Sequence, residues 1–203
     1  TLMRSSAASD VYKRQLHKEN EGLGLTRNYG IERATGKYIT FVDSDDYLTS
    51  DAVEAMLGKA EATDADVVIA NMFYKDEEMK VAVAERLYTG ADIKSVIINC
   101  MMGNYAEKKD ALSYTATAKL FNKKLFAENN LKFPSERKLI WEDLAFSVEA
   151  YPLCEKVYVL HKPVYYYCFN EGSLTHTYKP NKLELVMAVS YTHLRAHETP
   201  EHL

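Results

Sequence analysis

Three carboxylates stand within four positions of the stretch KYITFVDSDDYLTS, which runs from residue 37 to residue 50. They are Asp43, Asp45 and Asp46, called the acidic loop below. Mutual repulsion makes such a cluster costly unless a positive charge lies among the carboxylates. Hard oxygen ligands suit Mg²⁺ and Mn²⁺, and an ion held there would keep coordination positions open for phosphate oxygens. The pattern therefore indicates a divalent-cation site for a phosphorylated ligand; the plainer alternative is a solvated acidic loop.

A second acidic pair, Glu142 and Asp143, follows the single tryptophan, Trp141, in the sequence WEDLAF. Consecutive helical side chains point about 100° apart, so only one of the two acids can face a given ligand. A neighbouring carboxylate can raise proton affinity toward the range that general-base catalysis needs. The alternative is a helix start at which acids interact with the helix dipole. Trp141 is suited to stacking on a sugar ring or to a half-buried place in the core.

The elements around these acids predict an α/β layered domain. YITFV, just before the acidic loop, is β-branched and aromatic and predicts a short buried strand. The loop then lies at the carboxyl end of a strand, where open α/β sheets bind ligands. A loop and helix are predicted over 21–35, and a helix after Ser50 with an apolar stripe of Val53, Met56, Leu57 and Ala60. Further strands are predicted over 65–74, 80–88, 156–160 and 163–169, and further helices over 92–102, 118–130 and 141–151.

The composition fits an ordinary globular protein with no nucleic-acid partner. The chain has 203 residues, is 47% apolar and carries a net charge of −4, which argues against a surface that binds a phosphate backbone. No apolar run approaches the roughly 18 residues of a membrane span, although peripheral membrane contact stays open. The three cysteines have no CxxC spacing and are expected as reduced thiols in the cytoplasm.

The two ends differ from the middle of the chain. Residues 1–15 and 189–203 are polar and lack a sustained period, and the last stretch holds three of the six histidines. Both resemble adapter-derived translations at the ends of gene fragments assembled from environmental DNA. We therefore expect a non-native leader over 1–15, a native domain over 16–188 and a non-native tail over 189–203.

The stretch NEGLGLTRNYGIERATGKYITFVDSDDYL resembles the family 2 glycosyltransferases of the GT-A fold. Their pattern runs Asn-x-Gly, a small residue, Arg-Asn-x-Gly, Ala-x-Gly-x-Tyr and a strand ending in Asp-x-Asp-Asp. The residues that match it are Asn20, Gly22, Arg27, Asn28, Gly30, Ala34, Gly36, Tyr38, Asp43, Asp45 and Asp46. WEDLAF is similar to the Glu-Asp motif that supplies the catalytic base. YYYCFNEGSLTH resembles the aromatic strand and Gly-Ser-(Ile/Leu)-Thr of bacterial polysaccharide members, and the resemblance covers about residues 17–180.

This resemblance implies a GT-A-like (Rossmann-like) fold and an inverting enzyme. It would move a sugar from a nucleotide-diphosphate donor, a UDP-sugar, to a saccharide or lipid-linked acceptor of a cell-surface polysaccharide. The reaction would take place in the cytoplasm or at the inner face of the membrane. The implied cofactor is Mn²⁺ or Mg²⁺.

The resemblance also implies roles for individual residues. Asp45 and Asp46 would hold the metal, Asp143 would be the general base, and Glu142 its neighbour or an acceptor ligand. Trp141 would bind the acceptor. The residues implied on the donor side are Asn20, Gly22, Arg27 near the diphosphate, Asn28 at the nucleotide-side loop, Asp43, Asp45 and His176.

Two departures leave alternatives open. Nothing before Leu16 matches the family's opening Val-(Ile/Val)-Pro-x-Tyr-Asn strand, so we expect a chain truncated at its N-terminus, with an incomplete nucleotide pocket and weak or absent activity. An aspartyl phosphatase also has a strand followed by Asp-x-Asp, but Tyr47 stands where it usually has Thr or Val. A nucleotidyltransferase on a similar scaffold and an inactive fragment remain further alternatives. An EF-hand is excluded because Tyr47 and Leu48 replace its Asp or Asn and its Gly.

Overall fold

A computed structural model describes residues 13–81, 83–102, 112–139 and 141–169. Its helices are α1 (Leu23–Arg33), α2 (Ala52–Thr63), α3 (Asn99–Met102), α4 (Lys123–Asn129) and α5 (Glu142–Ala150). A π-helical segment (Ile93–Ile98) precedes α3, and a 3₁₀ turn (Tyr151–Leu153) follows α5. The strands are β1 (Tyr38–Ile39), β2 (Tyr47–Leu48), β3 (Val67–Tyr74), β4 (Glu77–Met79), β5 (Arg86–Thr89), β6 (Lys119–Asn122) and β7 (Lys156–Tyr167). Within these ranges no helix is both long enough and apolar enough to span a bilayer.

The strands form one mixed sheet in the order β1-β6-β3-β7-β2, with β4 added to β3 and β5 added to β7. The central pair, β3 and β7, is parallel, and the other pairs are antiparallel. Helices are interspersed with the strands along the chain and pack on both faces of the sheet, so the predicted α/β layered fold is confirmed. The acidic loop lies between the outer strands β1 and β2.

Apolar side chains cover both faces of the sheet. On β3, Val67 and Ile69 belong to the cluster that includes Phe126 of α4 and Phe146 of α5. Val68, Ala70 and Met72 face the other way and join Ala52, Met56 and Ala60 of α2. A strand that is buried on both faces is apolar without alternation, which explains the sequence of β3.

Three sequence predictions about elements are wrong in part. Residues 119–122 form strand β6 where a helix was predicted, because the segment pairs with β1 and β3 and buries all four side chains on the two faces of the sheet. The helix begins at Lys123, with the Asn122 side chain accepting a hydrogen bond from the Lys124 N–H. The two predicted strands near the end are the single strand β7, in which Pro163, without an N–H to donate, pairs with Asn71 where the register shifts.

Two details of the other predictions also differ. The apolar stripe of α2 is rotated, since Ala52 is buried and Val53 is 55% exposed. The strand predicted over residues 80–88 is found only at its end, as β5.

Candidate active site

The guanidinium of Arg27 joins the two acidic groups that the sequence singled out. Arg27 lies on α1 and is 6% exposed. Its Nη2 is 3.3 Å from Asp43 Oδ1, and its Nη1 is 3.2 Å from Glu142 Oε1 and also contacts Asp143 Oδ1. A positive charge supplied by the protein itself therefore lies between Asp43 and the Glu142–Asp143 pair.

Aromatic rings hold Arg27 in this position. Its guanidinium carbon lies 5.3 Å from the ring centre of Phe133 and 5.8 Å from that of Phe41. Phe133 stacks on Phe146 of α5 at 3.8 Å between ring centres. Cation–π contacts are stronger where water is excluded, so the same rings pack α1 against α5 and stabilise the buried charge.

Close backbone contact fixes the start of α1. A Cβ on Gly24 would lie 2.0 Å from the carbonyl oxygen of Pro134, so no larger residue fits without movement. The Gly24 N–H donates to Glu136 Oε2 at 3.2 Å, which satisfies one free donor of the helix end. Gly22, with φ of +100°, has the left-handed backbone that favours glycine.

Asn28 and Asn20 bind protein groups. The Asn28 side chain donates to the Phe133 carbonyl and accepts from the Phe133 N–H, both at 2.8 Å, so both ends of its amide hold the loop before α5. Asn20 Oδ1 accepts from the Gly22 N–H and from Arg137, both at 3.2 Å. These contacts shape the loops beside the acidic groups.

Strand β7 holds the acidic loop. The Tyr165 hydroxyl donates to Asp46 Oδ2 at 2.5 Å and accepts from the Asp43 N–H at 3.1 Å. Asp46 Oδ1 accepts from the Cys168 N–H at 2.8 Å, whereas the side chain of Asp45 lies at the exposed surface. Burial, together with the hydrogen bond to Asp46, raises the pKa of Tyr165 well above its usual range. The phenol therefore stays protonated and remains a donor to Asp46.

Asp45 and Asp46 have the hard oxygen atoms that Mn²⁺ or Mg²⁺ needs. Across the residues described here, no group of three or more His, Cys, Asp or Glu side chains gathers around a point suited to a metal. Mg²⁺ is commonly held by one or two carboxylates, with substrate phosphates and water completing its coordination. Two aspartates at a strand end fit that kind of site.

The second acidic pair is mostly buried. The side chains of Glu142 and Asp143 are 13% and 14% exposed. Asp143 Oδ2 accepts from the Ala116 N–H at 3.0 Å, so contacts hold both of its oxygens. Burial, and then the charge of Asp143, raises the pKa of Glu142 to about 7, with Arg27 acting in the opposite direction. Burial likewise raises the pKa of Asp43 against the effect of Arg27.

Trp141 precedes this pair, is 39% exposed and has a left-handed backbone with φ of +64°. His176 lies outside the described residues. The sequence did not single out Tyr165 or the buried Lys119 as parts of the site. Lys119 has apolar neighbours in the sequence, and assigning residues 119–122 to a strand would have predicted a buried lysine there.

Residues 11–129 match the family described as Glycosyl transferase family 2. The chain belongs to this family. It is 29% identical over 175 residues to the uncharacterized glycosyltransferase EpsJ of Bacillus subtilis, covering 86% of this chain and 50% of EpsJ. It is 31% identical over 180 residues to the putative glycosyltransferase EpsH of the same organism, covering 87% of this chain and 50% of EpsH. This family 2 chain thus spans about half the length of these relatives.

The fold is also shared with a solved structure. A crystal structure of Staphylococcus aureus TarS 1–349 in complex with UDP-GlcNAc superposes with a TM-score of 0.66 at 22% sequence identity. The match covers 93% of this chain and 52% of that one. At this identity the likeness concerns the fold, and it agrees with the GT-A-like architecture predicted from the sequence.

Proposed function

We propose that this chain is the catalytic part of an inverting glycosyltransferase. It would move a sugar from a UDP-sugar to a saccharide or lipid-linked acceptor in cell-surface polysaccharide synthesis. The observation that carries the proposal is the Arg27 contact between Asp43 of the acidic loop and the Glu142–Asp143 pair. Donor binding and proton removal need two separate acidic groups close together, and this contact brings them together. The family membership and the glycosyltransferase names of EpsJ and EpsH support the same chemistry.

The acidic loop forms the donor side. Asp45 and Asp46 hold Mn²⁺ or Mg²⁺, which when bound supplies positive charge against the diphosphate leaving group. The hydrogen bonds from Tyr165 and Cys168 orient Asp46, and each carboxylate oxygen keeps a second lone pair for a ligand. Asp43, held by Arg27, faces the ribose or the sugar. The UDP-GlcNAc named for the TarS structure supports a UDP-sugar as the donor class.

The acid pair on α5 forms the acceptor side. Asp143 takes the proton of the acceptor hydroxyl as that oxygen attacks the anomeric carbon and the bond to the diphosphate breaks. Its two oxygens are fixed by Arg27 and by the Ala116 N–H, which orients the carboxylate before the acceptor arrives. Glu142, with a pKa of about 7, is protonated in part at neutral pH and binds an acceptor hydroxyl. Trp141 offers a half-exposed ring for stacking on the acceptor sugar.

The remaining donor residues act through the loops. Asn28 holds the Phe133 backbone in the loop before α5, and Asn20 holds the Gly22 N–H just before α1. We propose that these two segments line the nucleotide. His176 is proposed as a further contact to the diphosphate. The reaction takes place in the cytoplasm, at the inner face of the membrane when the acceptor is lipid-linked.

Product analysis tests this proposal against its two rivals. UDP-GlcNAc is incubated with the chain and Mn²⁺, with and without oligosaccharide acceptors, and the products are separated. We expect slow formation of UDP and a glycosylated acceptor, in keeping with the weak activity expected of an incomplete nucleotide pocket, and loss of both in Asp143→Asn. In parallel reactions, a phosphatase would release inorganic phosphate from a small phosphate monoester, and a nucleotidyltransferase would consume added pyrophosphate and form UTP and a sugar 1-phosphate from UDP-GlcNAc. Either product profile, or undiminished transfer by Asp143→Asn, would contradict the assignment.

A further inference from the structure

A buried lysine and the proposed base meet on one peptide group. Lys119 of β6 is 1% exposed, and its ammonium donates a hydrogen bond to the Thr115 carbonyl. The N–H of the next residue, Ala116, donates to Asp143 Oδ2 at 3.0 Å. The Thr115 carbonyl and the Ala116 N–H are the two ends of the same planar amide. The ammonium and the carboxylate are therefore joined through a single peptide bond.

We propose that Lys119 is a positioning residue that acts on Asp143 through the Thr115–Ala116 peptide group. The inference rests on the proposed function, in which Asp143 is the base. A cation at the carbonyl polarises the amide and makes its N–H a stronger donor, because hydrogen bonds in series strengthen one another. The carboxylate is thereby held in one orientation and its charged form is favoured.

The segment that carries this peptide is fixed on both sides. Ser147 of α5 donates to the Tyr114 carbonyl at 3.0 Å, and the Thr117 hydroxyl donates to that of Thr115 at 3.2 Å. On β6 itself, the Thr40 hydroxyl donates to the Lys119 carbonyl at 2.8 Å. The amide therefore has little freedom to rotate. Loss of the Lys119 hydrogen bond then changes the hydrogen bond to Asp143, because the backbone does not readjust.

A packing role for the lysine stem alone does not explain its charged end. A buried ammonium is costly unless it is paired and hydrogen-bonded. Burial lowers the pKa of Lys119 to about 7, and the charge of Asp143 opposes that fall. Among the described residues, Asp143 also interacts with the charges of Arg27 from α1, Asp43 from the acidic loop and its neighbour Glu142.

Lys123 provides a matched control in the next element. It lies four residues further on and also donates from its ammonium to a backbone carbonyl, that of Ala34. That contact joins the start of α4 to the end of α1, away from Asp143. Removing the Lys123 charge thus deletes the same kind of hydrogen bond without touching the proposed base.

The first experiment follows the titration of Lys119 by the ¹³Cε resonance of labelled lysine, in the unchanged chain and in Asp143→Asn. We expect the pKa of Lys119 to fall by about one unit in the variant, since an opposite charge favours the ionised form, while the Lys123 resonance stays unchanged. The amide resonance of Ala116 should follow the same titration in the unchanged chain. The inference would be overturned if Asp143→Asn left the pKa of Lys119 unchanged. It would also be overturned if the Ala116 amide resonance of the unchanged chain did not shift as Lys119 titrates.

The second experiment measures UDP release from UDP-GlcNAc in the presence of an oligosaccharide acceptor by the unchanged chain, Lys119→Met and Lys123→Met. Lys119→Met should lower kcat about tenfold with little change in KM for the donor, the effect of weakening an interaction used in the transition state. Lys123→Met should leave both unchanged. An unchanged kcat in Lys119→Met would contradict the positioning role.

The two arms separate this inference from the proposed function. If Asp143→Asn keeps full turnover but shifts the Lys119 titration, the base assignment fails and the lysine–aspartate connection stands. If the titration does not shift, the connection fails whatever the turnover shows. The titration also decides the matter when Lys119→Met does not fold, because it leaves Lys119 in place.

Discussion

The hydroxyl of Tyr165 donates a 2.5 Å hydrogen bond to Asp46 across 119 positions of sequence, and the same oxygen accepts from the backbone of Asp43. One phenol on β7 thus holds both ends of the acidic loop. Of the two aspartates proposed to bind the metal, Asp46 is therefore oriented by the sheet, through a residue outside its own motif.

Replacing Tyr165 by Phe should weaken metal-dependent donor binding. The variant leaves Asp46 without its phenolic donor, and one such hydrogen bond to a charged group contributes about 1.5–3 kcal/mol. We expect roughly a tenfold rise in the Kd for UDP in the presence of Mn²⁺, measured by calorimetry. Tyr158→Phe is the control, since it removes a hydroxyl contact to Glu85 on the same strand. Equal UDP affinity in Tyr165→Phe and the unchanged chain would show that Asp46 needs no such support.

Replacing Arg27 by Met should destabilise the fold strongly. The change leaves three carboxylates close together in a partly buried site, and breaking a buried pair in this way costs about 3–5 kcal/mol. Chemical denaturation at pH 7 should show this loss, and lowering the pH should recover part of it as the carboxylates are protonated. Arg33→Met, at the exposed end of the same helix, should change stability little. A loss in Arg27→Met that does not depend on pH would point to packing instead of charge.

Glu142 should make the protein less stable as the pH rises. Its pKa is raised from 4.5 to about 7 in the folded chain. Between these two pH values the folded state therefore keeps the proton of Glu142, whereas the unfolded state releases it. Its contribution to stability is fully present below about pH 4.5 and is lost as the pH passes through about 7, by up to about 3 kcal/mol. Glu142→Gln should therefore flatten the stability profile between pH 5 and 8 in denaturation experiments. Glu149→Gln, at an exposed position of α5, should keep the original slope.

Two glycines of α1 should respond in opposite ways to alanine. Gly24→Ala places a Cβ against the Pro134 carbonyl, and we expect a loss of about 2 kcal/mol or more as the loop is pushed from the helix. Gly30→Ala meets no atom within 4 Å and should stabilise the helix by up to about 1 kcal/mol. Thermal unfolding of the two variants side by side checks this. A Gly24→Ala protein as stable as Gly30→Ala would contradict the close packing of α1 on that loop.

The sequence predicted the α/β architecture because it depends on local pattern, whereas the strand predicted directly before the acidic loop ends at Ile39, and Val42 is 45% exposed. It misassigned Lys119–Asn122, since a four-residue buried segment next to a true helix has no period of its own. The contacts of Arg27 with Glu142 and Asp143 span 115 and 116 positions and appear in no local pattern. The family resemblance implies a place for Arg27 near the diphosphate, which stays a prediction; its partners in the structure are carboxylates. Which distant side chains pair is decided by packing.

The affinity of the chain for UDP with and without Mn²⁺ tests the central claim most directly. Calorimetry is carried out on the unchanged chain, on Asp45→Asn, and on Glu54→Gln, which removes one exposed acid from α2. We predict that Mn²⁺ tightens UDP binding at least about tenfold in the unchanged chain and in Glu54→Gln, and that Asp45→Asn abolishes this gain. The donor site proposed for the acidic loop would be contradicted if the unchanged chain bound UDP equally well with and without Mn²⁺. It would also be contradicted if Mn²⁺ tightened UDP binding to Asp45→Asn as much as to the unchanged chain.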